Sequence, residues 1–526
     1  MTKKKKNTEC IFTIDAGTQS IRTALIDLKG NILEIVKTEI DPYFSNHPGW
    51  AEQEPDYYWK ILKTTCKKLL SSSQYSKESI KGVTLTTQRG SVINLDKNGK
   101  PLRPAILWLD QRKAEKEKWP PLHIKAGLKA VGMYEPAIQT YRDCEANWIR
   151  QNQPEIWDQT HKYLFISGFF TYMLTGEYRD SIGSMVGYVP FDYKTQNYPK
   201  SNDLKWSLFP MSRDILPDVV SPGQELGRIT KEASKLTGIP QGLPVIAAAA
   251  DKACEVLGSG CSTPEIGCLS YGTTATIETT TDRSVEVIKH YPPYPSAIPG
   301  KYNTEIMIFR GYWMVSWFKQ EFGHREQLLA KKRNISPEAI FDEMIREIPP
   351  GSMGLILQPY WSPGVKIPGP EAKGSIIGFG DVHTRAHIYR AILEGLAYAL
   401  KEGKEATEKV NKVKIEKLRV SGGGSQSREA MQLTADIFGI PAERPHTFET
   451  SAVGAAMDAA VGLGLHNNFE TAVNEMTSVK DVFDPIPENK KIYEDLFENV
   501  YQKLYKRLKP LYDEIRDATG YPEKVV

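Results

Sequence analysis

The feature that most constrains the fold is a short apolar run that ends in an aspartate and a Gly-Thr turn. Residues 10–14 are largely apolar, Asp15 and Gly17 follow, and a second apolar run occupies 23–28. A Lys-Gly-Asn turn then leads into a third run at 32–36. Runs of this length, separated by turn residues, predict a β-meander of strand, turn, strand, turn and strand.

The same pattern recurs in the second half of the chain. An apolar run at 267–271 ends in Gly272, and another strand-like run follows at 275–277. Elsewhere helix and strand signals alternate, which predicts an α/β architecture. Further strands are expected at 82–86, 104–108, 244–247 and 418–420, and helices at about 387–410 and 428–438.

Length and composition are those of a soluble multidomain protein. At about 100–200 residues per domain, 526 residues suggest two to four folding units. We place one domain boundary near residue 260, which gives an N-terminal domain (1–260) and a C-terminal domain (261–526) with a cleft between them. A hydrophobic fraction of 40% and a charged fraction of 25% allow a large core.

Several classes of function and location are disfavoured by what the sequence lacks. A net charge of +3 gives no support for nucleic-acid binding. The basic run at 3–6 reads as a solvated tail, and no long apolar segment follows it, so we expect neither a signal peptide nor a membrane span. The six cysteines form no Cys-x-x-Cys pair, so we expect no zinc site and a reduced, cytoplasmic chain.

Glycine turns at the ends of strands are candidates for binding phosphate. Backbone N–H groups commonly hold a triphosphate, glycine lets the backbone approach closely, and Ser or Thr adds hydroxyl donors. Such turns occur at 17–20, 272–274 and 422–425, and the last precedes a predicted helix, whose N-terminus favours anions. Each turn alone also reads as a plain hairpin or linker. The chain has no Gly-x-x-x-x-Gly-Lys-[Ser/Thr] motif, which excludes a P-loop.

Two aspartates at the ends of apolar runs supply the complementary chemistry. Asp15 and Asp251 each end such a run, where a carboxylate faces a cleft rather than the core. Phosphoryl transfer needs a group that accepts the proton of the attacking hydroxyl and carboxylates that hold Mg²⁺. For Asp251, an N-cap on the following helix is an equally good local interpretation.

These motifs, in this order, resemble the FGGY family of carbohydrate kinases over about 11–464. The strongest element is 374–379 followed by 387–394, which matches the family's C-terminal signature except at Phe379, where a smaller aliphatic residue is usual. The resemblance implies the two-domain α/β fold shared by actin, the heat-shock chaperone ATPases and ribonuclease H, with an interdomain cleft. It also implies phosphorylation of a small carbohydrate by ATP with Mg²⁺.

The resemblance assigns roles to individual residues. Asp251 matches the catalytic base, and Asp15 and Asp251 are the metal-associated carboxylates. The nucleotide-contacting residues that it implies are Gly17, Thr18, Gln19, Arg22, Gly272, Thr273, Thr274, Gly423, Gly424 and Ser425. The acceptor-contacting residues that it implies are Gln88, Arg89, Trp108 and Asp110.

The acceptor side combines one xylulokinase-like pattern with several departures from the family. Residues 106–112 resemble the Leu-Trp-x-Asp-x-Arg pattern of xylulokinase-like members, although Trp108 also reads as plain core. Gly90 stands where glycerol kinase has a Glu, and Glu145 where the N-terminal signature has a Lys. Lys252 replaces the usual Gln or Asn, and either contacts phosphate or points to solvent. A pentulose such as xylulose or ribulose is therefore the first expectation, ahead of other ketoses, tetritols, glycerol and gluconate.

Two other classes of function are alternatives to a sugar kinase. One is an actin-like or chaperone-like ATPase, because those proteins share the nucleotide fold. The other is a catalytically weak sugar sensor, because the N-terminal signature is poorly kept. The expected partner is a small sugar or polyol, without nucleic acid or membrane, and a homodimer is one alternative for the oligomeric state.

Overall fold

The structure, a computed structural model, describes residues 5–116, 119–362, 368–369 and 371–521, so Lys3 and Lys4 of the basic run lie outside the described residues. The strands of the described part are, in chain order, β1 (Cys10–Ala16), β2 (Ser20–Asp27), β3 (Ile32–Glu39), β4 (Glu52–Gln53), β5 (Ile80–Thr87), β6 (Val92–Leu95), β7 (Ala105–Ile106), β8 (Lys162–Phe165), β9 (Arg179–Ser181), β10 (Asp218–Val220), β11 (Glu225–Arg228), β12 (Pro244–Ala247), β13 (Ile266–Tyr271), β14 (Ala275–Thr281), β15 (Tyr294–Pro295), β16 (Tyr302–Ile308), β17 (Ile356–Gln358), β18 (Ser375–Ile377), β19 (Lys417–Ser421), β20 (Ala442–Pro445) and β21 (Val479–Phe483).

The helices of the same part alternate with these strands. They are α1 (Pro55–Ser72), α2 (Leu122–Ala130), α3 (Tyr134–Asp143), α4 (Glu145–Asn152), α5 (Pro154–Gln159), α6 (Ile166–Thr175), α7 (Lys205–Leu208), α8 (Lys231–Thr237), α9 (Asp251–Gly258), α10 (Trp313–Phe322), α11 (His324–Arg333), α12 (Pro337–Ile345), α13 (Arg385–Asn411), α14 (Arg428–Phe438), α15 (Thr450–Gly462), α16 (Phe469–Met476), α17 (Pro487–Leu496) and α18 (Gln502–Thr519).

The chain folds into two compact units, and each unit consists of three separate segments of the sequence. The first unit contains Met1–Gly260, Asp282–Asn303 and Thr450–Thr477. The second contains the remaining segments, which are Cys261–Thr281, Thr304–Glu449 and Ser478–Val526. Helices α15 and α16, late in the sequence, therefore belong to the first unit.

The main sheet of the first unit has the order β11-β12-β5-β1-β2-β3. β1, β2 and β3 are antiparallel neighbours, which confirms the predicted meander, while β5 runs parallel to β1 and β12 parallel to β5. β1 is buried along its whole length, and its side chains alternate between two hydrophobic clusters, with Phe12 and Ile14 in one and Ile11 in the other. Such a strand reads as a continuous apolar run because both faces of the sheet are covered.

The second unit repeats this plan. In its sheet β16, β14, β13, β19, β20 and β21 are successive neighbours. β13 and β14 form an antiparallel hairpin, and β19 runs parallel to β13. In both units the first strand of a hairpin therefore lies between its hairpin partner and a parallel strand, and the connecting turn lies at the end of that first strand.

The strand predicted at 104–108 is shorter than expected and lies outside the main sheet. Only β7 forms there, in a small sheet ordered β4-β7-β6-β8. The Leu107 N–H still donates to the Ala51 carbonyl (3.0 Å) beside β4, and the chain then turns, with the Asp110 N–H donating to the Leu107 carbonyl (2.9 Å).

The long helix predicted at about 387–410 is α13, at the centre of the second unit's core. Within it, Glu394 accepts hydrogen bonds from Arg390 Nε (2.9 Å) and from the Tyr493 hydroxyl (2.7 Å) of α17. Glu394 also accepts from the Ser352 hydroxyl (2.8 Å) and the Gly351 N–H (3.0 Å). Hydrogen bonds to a charged carboxylate are stronger than those between neutral groups. Glu394 therefore holds the turn at 351–352 and helix α17 against α13.

All six cysteines are buried, and none forms a disulfide. In the part of the chain that the structure describes, no helix combines the length and the apolar character needed to cross a membrane.

Candidate active site

The turn between β1 and β2 places a carboxylate beside a guanidinium. Asp15 lies directly opposite Arg22 in the antiparallel ladder, and Arg22 Nη1 is 3.1 Å from Asp15 Oδ2. The Gly17 N–H donates to the Ser20 carbonyl (3.1 Å) and closes the turn. A Cβ added to Gly17 would meet only that carbonyl, at 3.8 Å, so the outer side of the turn is open to a ligand.

Three of the predicted site residues form a chain of hydrogen bonds in the first unit. Trp108 Nε1 donates to Thr18 Oγ1 (3.1 Å), and Thr18 Oγ1 donates to Gln88 Oε1 (3.0 Å). Trp108 is 43% exposed, so it is not plain core. The Gln19 side chain is exposed, while its carbonyl accepts the Ile40 N–H (3.0 Å). The predicted phosphate turn and two predicted acceptor residues are therefore adjacent.

Arg89 packs on an aromatic ring that the sequence analysis missed. Its guanidinium carbon lies 4.8 Å from the centre of the Tyr294 ring, a cation–π contact. Tyr294 is in turn held edge-to-face by Tyr193, at 5.9 Å between ring centres. No local motif marks Tyr294, because it lies far along the chain from Arg89 and the contact is created by the fold.

Asp251 is the first residue of α9, and its carboxylate is surrounded by both signs of charge. Ala250 occupies the N-cap position, so Asp251 is not the cap, and its Oδ1 accepts the Lys252 N–H (2.8 Å). Burial raises the pKa of Asp251, the charges of Lys252 and Arg89 lower it, and that of Glu255 raises it. A carboxylate perturbed by burial and by named charge partners fits a proton acceptor.

Lys252 forms an ion pair within the first turn of α9. Its Nζ lies 2.8 Å from Glu255 Oε2, and both side chains are mostly buried. A mostly buried and paired Lys252 is not directed to solvent, and its contact with phosphate stays a prediction. The charge of Lys252 therefore acts beside Asp251.

Helix α9 is held by close contact with α15. A Cβ added to Gly258 would overlap the Thr450 carbonyl, and one added to Gly454 would overlap the Cys254 carbonyl. Between these helices, Asp458 is 0% exposed, and neither of its carboxylate oxygens has a hydrogen-bond partner among the described residues. Burial raises the pKa of Asp458 well above its usual range. No sequence pattern indicated this residue.

Asp110 is engaged by neighbouring groups of the first unit. Its Oδ1 accepts from Arg112 Nε (2.8 Å), and its Oδ2 accepts from Arg112 Nη2 (2.7 Å) and the Ala51 N–H (2.7 Å). The Arg112 guanidinium carbon lies 3.9 Å from the Trp50 ring centre and 4.6 Å from that of Trp148. Both oxygens of Asp110 thus hold a buried arginine between two indoles, and its contact with an acceptor stays a prediction.

In the second unit, the turn after β13 is closed by the segment that follows β16. The Gly272 carbonyl accepts the Tyr312 N–H (2.9 Å), and the Thr273 carbonyl accepts the Trp313 N–H (3.3 Å). Thr274 Oγ1 donates to the Phe309 carbonyl (3.4 Å). Both carbonyls of the turn are therefore occupied by the protein.

The glycine cluster after β19 forms a short helical turn ahead of α14. Gly422 has a φ of +79°, in the left-handed region that favours glycine. Ser425 is buried, and its hydroxyl donates to the Gly422 carbonyl (2.7 Å). Helix α14 begins only after Ser427, whose Oγ accepts the Ala430 N–H (2.9 Å). The glycines therefore precede the helix N-terminus by several residues.

A metal site built from protein ligands alone is not found in the described ranges. Among those residues, no group of three or more His, Cys, Asp or Glu side chains is arranged to hold a metal ion. Mg²⁺ usually keeps several waters and binds through one or two carboxylates together with substrate phosphates. The single carboxylate of Asp15 beside an open glycine turn fits that mode of binding.

Two family models together match most of the chain. The model described as the FGGY family of carbohydrate kinases, N-terminal domain, matches residues 10–258, and that of the C-terminal domain matches 267–463. A xylulose kinase of Staphylococcus epidermidis is 28% identical over 97% of this chain and 99% of that protein. An uncharacterised sugar kinase of Escherichia coli is 30% identical over 98% of each.

Solved structures of sugar kinases share the fold. A xylulose kinase from Lactobacillus acidophilus, 23% identical, has a TM-score of 0.78 and covers 98% of this chain and 99% of that chain. A gluconate kinase from the same organism, 22% identical, has the same TM-score of 0.78 over the same shares of both chains. The predicted two-domain α/β fold of the actin-like ATPases is confirmed.

Proposed function

The chain belongs to the FGGY family of carbohydrate kinases, and from that premise we propose that its acceptor is a pentulose such as xylulose or ribulose. Three observations support this choice, and the third disfavours glycerol. The curated relatives cited above include a xylulose kinase, and 107–112 keep the Leu-Trp-x-Asp-x-Arg pattern of xylulokinase-like members. Gly90 replaces the Glu that glycerol kinase uses beside its arginine.

Asp251 accepts the proton of the attacking hydroxyl in this proposal. The observation that carries it is the position of Asp251 at the start of α9, with Lys252 and Arg89 favouring its ionised form. The γ-phosphoryl group of ATP moves in line to the hydroxyl, and the proton leaves late, because positioning matters more than basicity in a loose transition state. Arg89, Gln88 and Trp108 contact the acceptor.

Each unit contains turns that we propose as nucleotide contacts. In the first unit, the turn that contains Gly17, Thr18 and Gln19 contacts phosphate, and Arg22 offsets negative charge. Asp15 would hold the Mg²⁺ that accompanies ATP, and the bound ion would offset charge on the phosphates. In the second unit, the turn at 272–274 contacts phosphate and the segment at 423–425 contacts adenosine.

Six buried thiols without a disulfide also support a cytoplasmic location.

A screen of ADP release across ketoses, polyols and aldonates tests the proposal. Xylulose or ribulose should give sugar-dependent ADP release, and mass spectrometry should detect the sugar phosphate. ADP release that is stimulated by peptides or accompanied by polymerisation, without any sugar product, would support the ATPase alternative. Tight sugar binding without product would support the sensor alternative, and a fast reaction with gluconate would exclude the pentulose assignment.

A further inference from the structure

A third segment of the second unit contacts both of its candidate nucleotide turns. This segment follows β16 and contains Gly311, Tyr312 and Trp313. Its backbone N–H groups donate to the Gly272 and Thr273 carbonyls, at 2.9 and 3.3 Å. A Cβ added to Gly311 would overlap the backbone of Ala275, so the close approach of these two segments depends on glycine.

The side chain of Tyr312 carries this contact to the glycine cluster. Its ring stacks on Tyr271, with 4.5 Å between ring centres and 24° between planes. A Cβ added to Gly424 would overlap the Tyr312 ring, and one added to Gly422 would lie 2.9 Å from the Tyr271 carbonyl carbon. A Cβ added to Gly423 would meet no atom within 4 Å. The outer glycines therefore pack on the two tyrosines, and the middle glycine is open to a ligand.

The tyrosine stack is itself fixed to the helix that follows the cluster. Tyr271 is 2% exposed, and its hydroxyl is 2.5 Å from Thr434 Oγ1 of α14. Tyr312 thus lies where the turn at 272–274, the cluster at 422–424 and α14 meet.

We infer that Tyr312 is a positioning residue that sets the spacing between the two nucleotide turns of the second unit. It touches neither phosphate nor base in this inference; its backbone fixes one turn and its ring supports the other. The inference rests on the proposed nucleotide roles of those turns. Misplacement of a positioning group by about 1 Å can lower a rate about 100-fold. Loss of the Tyr312 ring should let the two turns shift relative to each other, and this shift should weaken productive binding of ATP.

Paired leucine variants separate positioning from general stability. Tyr312→Leu should raise the KM for ATP about tenfold while the KM for the sugar changes less than about twofold, because only the nucleotide turns lose support. Tyr312→Phe keeps the ring and should restore the KM for ATP. Phe318→Leu is the matched control, since Phe318 is buried in the same core and packs on Phe341 and Tyr389. It should lower Tm and leave the KM for ATP unchanged.

A double-mutant cycle with Gly424→Ala gives a second measurement. The added methyl group should raise the dissociation constant of ADP, measured by calorimetry, because it overlaps the Tyr312 ring, and Tyr312→Ala should relieve part of that effect. A normal KM for ATP in Tyr312→Leu, or fully additive effects in the cycle, overturns the inference and leaves the proposed function intact. Absence of any ADP release by the wild-type protein with every sugar overturns the proposed function instead. If Tyr312→Leu does not fold, the ADP affinity of Gly424→Ala decides, because that variant keeps the tyrosine, and an unchanged dissociation constant of ADP overturns the inference.

Discussion

Asp15 and Arg22 face each other across the first hairpin, with Arg22 Nη1 3.1 Å from Asp15 Oδ2. The Asp15 side chain is 6% exposed and that of Arg22 is 32% exposed. Removing a carboxylate from water costs free energy unless hydrogen-bonded or charged partners replace the water. The arginine therefore stabilises a carboxylate at the end of β1, beside the open turn at Gly17.

Arg22→Met should lower kcat/KM for ATP about 100-fold, because the substitution removes a cation next to the phosphate turn and leaves Asp15 with one partner fewer. Steady-state kinetics with varied ATP and Mg²⁺ measure the effect. Lys37→Met is the control, since Lys37 lies opposite Arg22 on β3 and is half exposed. Equal kinetics for Arg22→Met and the wild type would remove Arg22 from the nucleotide site.

Asp251→Asn should bind ATP and sugar with near-normal affinity and lose about 10³ in kcat, as expected when a general base is replaced by a group that cannot accept a proton. Calorimetry and ADP release measure the two quantities separately. Asp27→Asn is the matched control, since Asp27 ends β2 and its Oδ1 accepts the Lys29 N–H (2.9 Å) in the turn that leads to β3. Near-normal turnover of Asp251→Asn would contradict the assignment of the base.

The charges around Asp251 predict opposite shifts in the pH dependence of kcat. Transfer needs the carboxylate, so activity falls as pH drops through the pKa of Asp251. Lys252 lowers that pKa and Glu255 raises it. Lys252→Met should therefore move the acidic limb of the profile to higher pH, and Glu255→Gln should move it to lower pH. Shifts in the same direction for both variants would indicate that another group titrates.

Local patterns predict the elements that carry the nucleotide turns. The meander, β12 and α14 were predicted because each is an uninterrupted periodic run bounded by turn residues. The strand at 104–108 was overestimated because the chain turns after Leu107, whose carbonyl accepts the Asp110 N–H. Periodicity reports which residues are buried and does not report where the chain bends.

Contacts between distant segments were not predictable. Tyr294 beneath Arg89, Tyr312 against Gly424 and Asp458 beside α9 each pair residues far apart in sequence. The return of residues 450–477 to the first unit is of the same kind. The residue types that can do chemistry are therefore visible in the sequence, whereas the groups that position them come from the fold.

Trp108→Ala should raise the KM for the sugar about tenfold and change the KM for ATP less than about twofold. The reason is that a half-exposed indole, linked to Gln88 through Thr18, offers an apolar wall to the acceptor. Kinetics with each substrate varied in turn make this distinction. Trp206→Ala is the control, since the Trp206 indole donates to the Lys200 carbonyl (2.9 Å) elsewhere in the first unit. An increase confined to the KM for ATP would place Trp108 on the nucleotide side.

Asp458 predicts an unusual dependence of stability on pH. Burial raises its pKa well above the value near 3.9 of an unfolded chain, so between the two values the folded state binds more protons than the unfolded state. The contribution of Asp458 to the free energy of unfolding is therefore fully present below about pH 4 and is lost as pH rises through the folded pKa.

Asp458→Asn never ionises and should lack this slope. Thermal unfolding at pH 5 to 8 should show the Tm of the wild type falling relative to that of the variant, where about 1 kcal/mol corresponds to about 2–4 °C. Met457→Leu, a buried and uncharged neighbour on α15, should follow the wild type. Parallel curves for Asp458→Asn and the wild type would show that the carboxyl finds a partner that stabilises its ionised form.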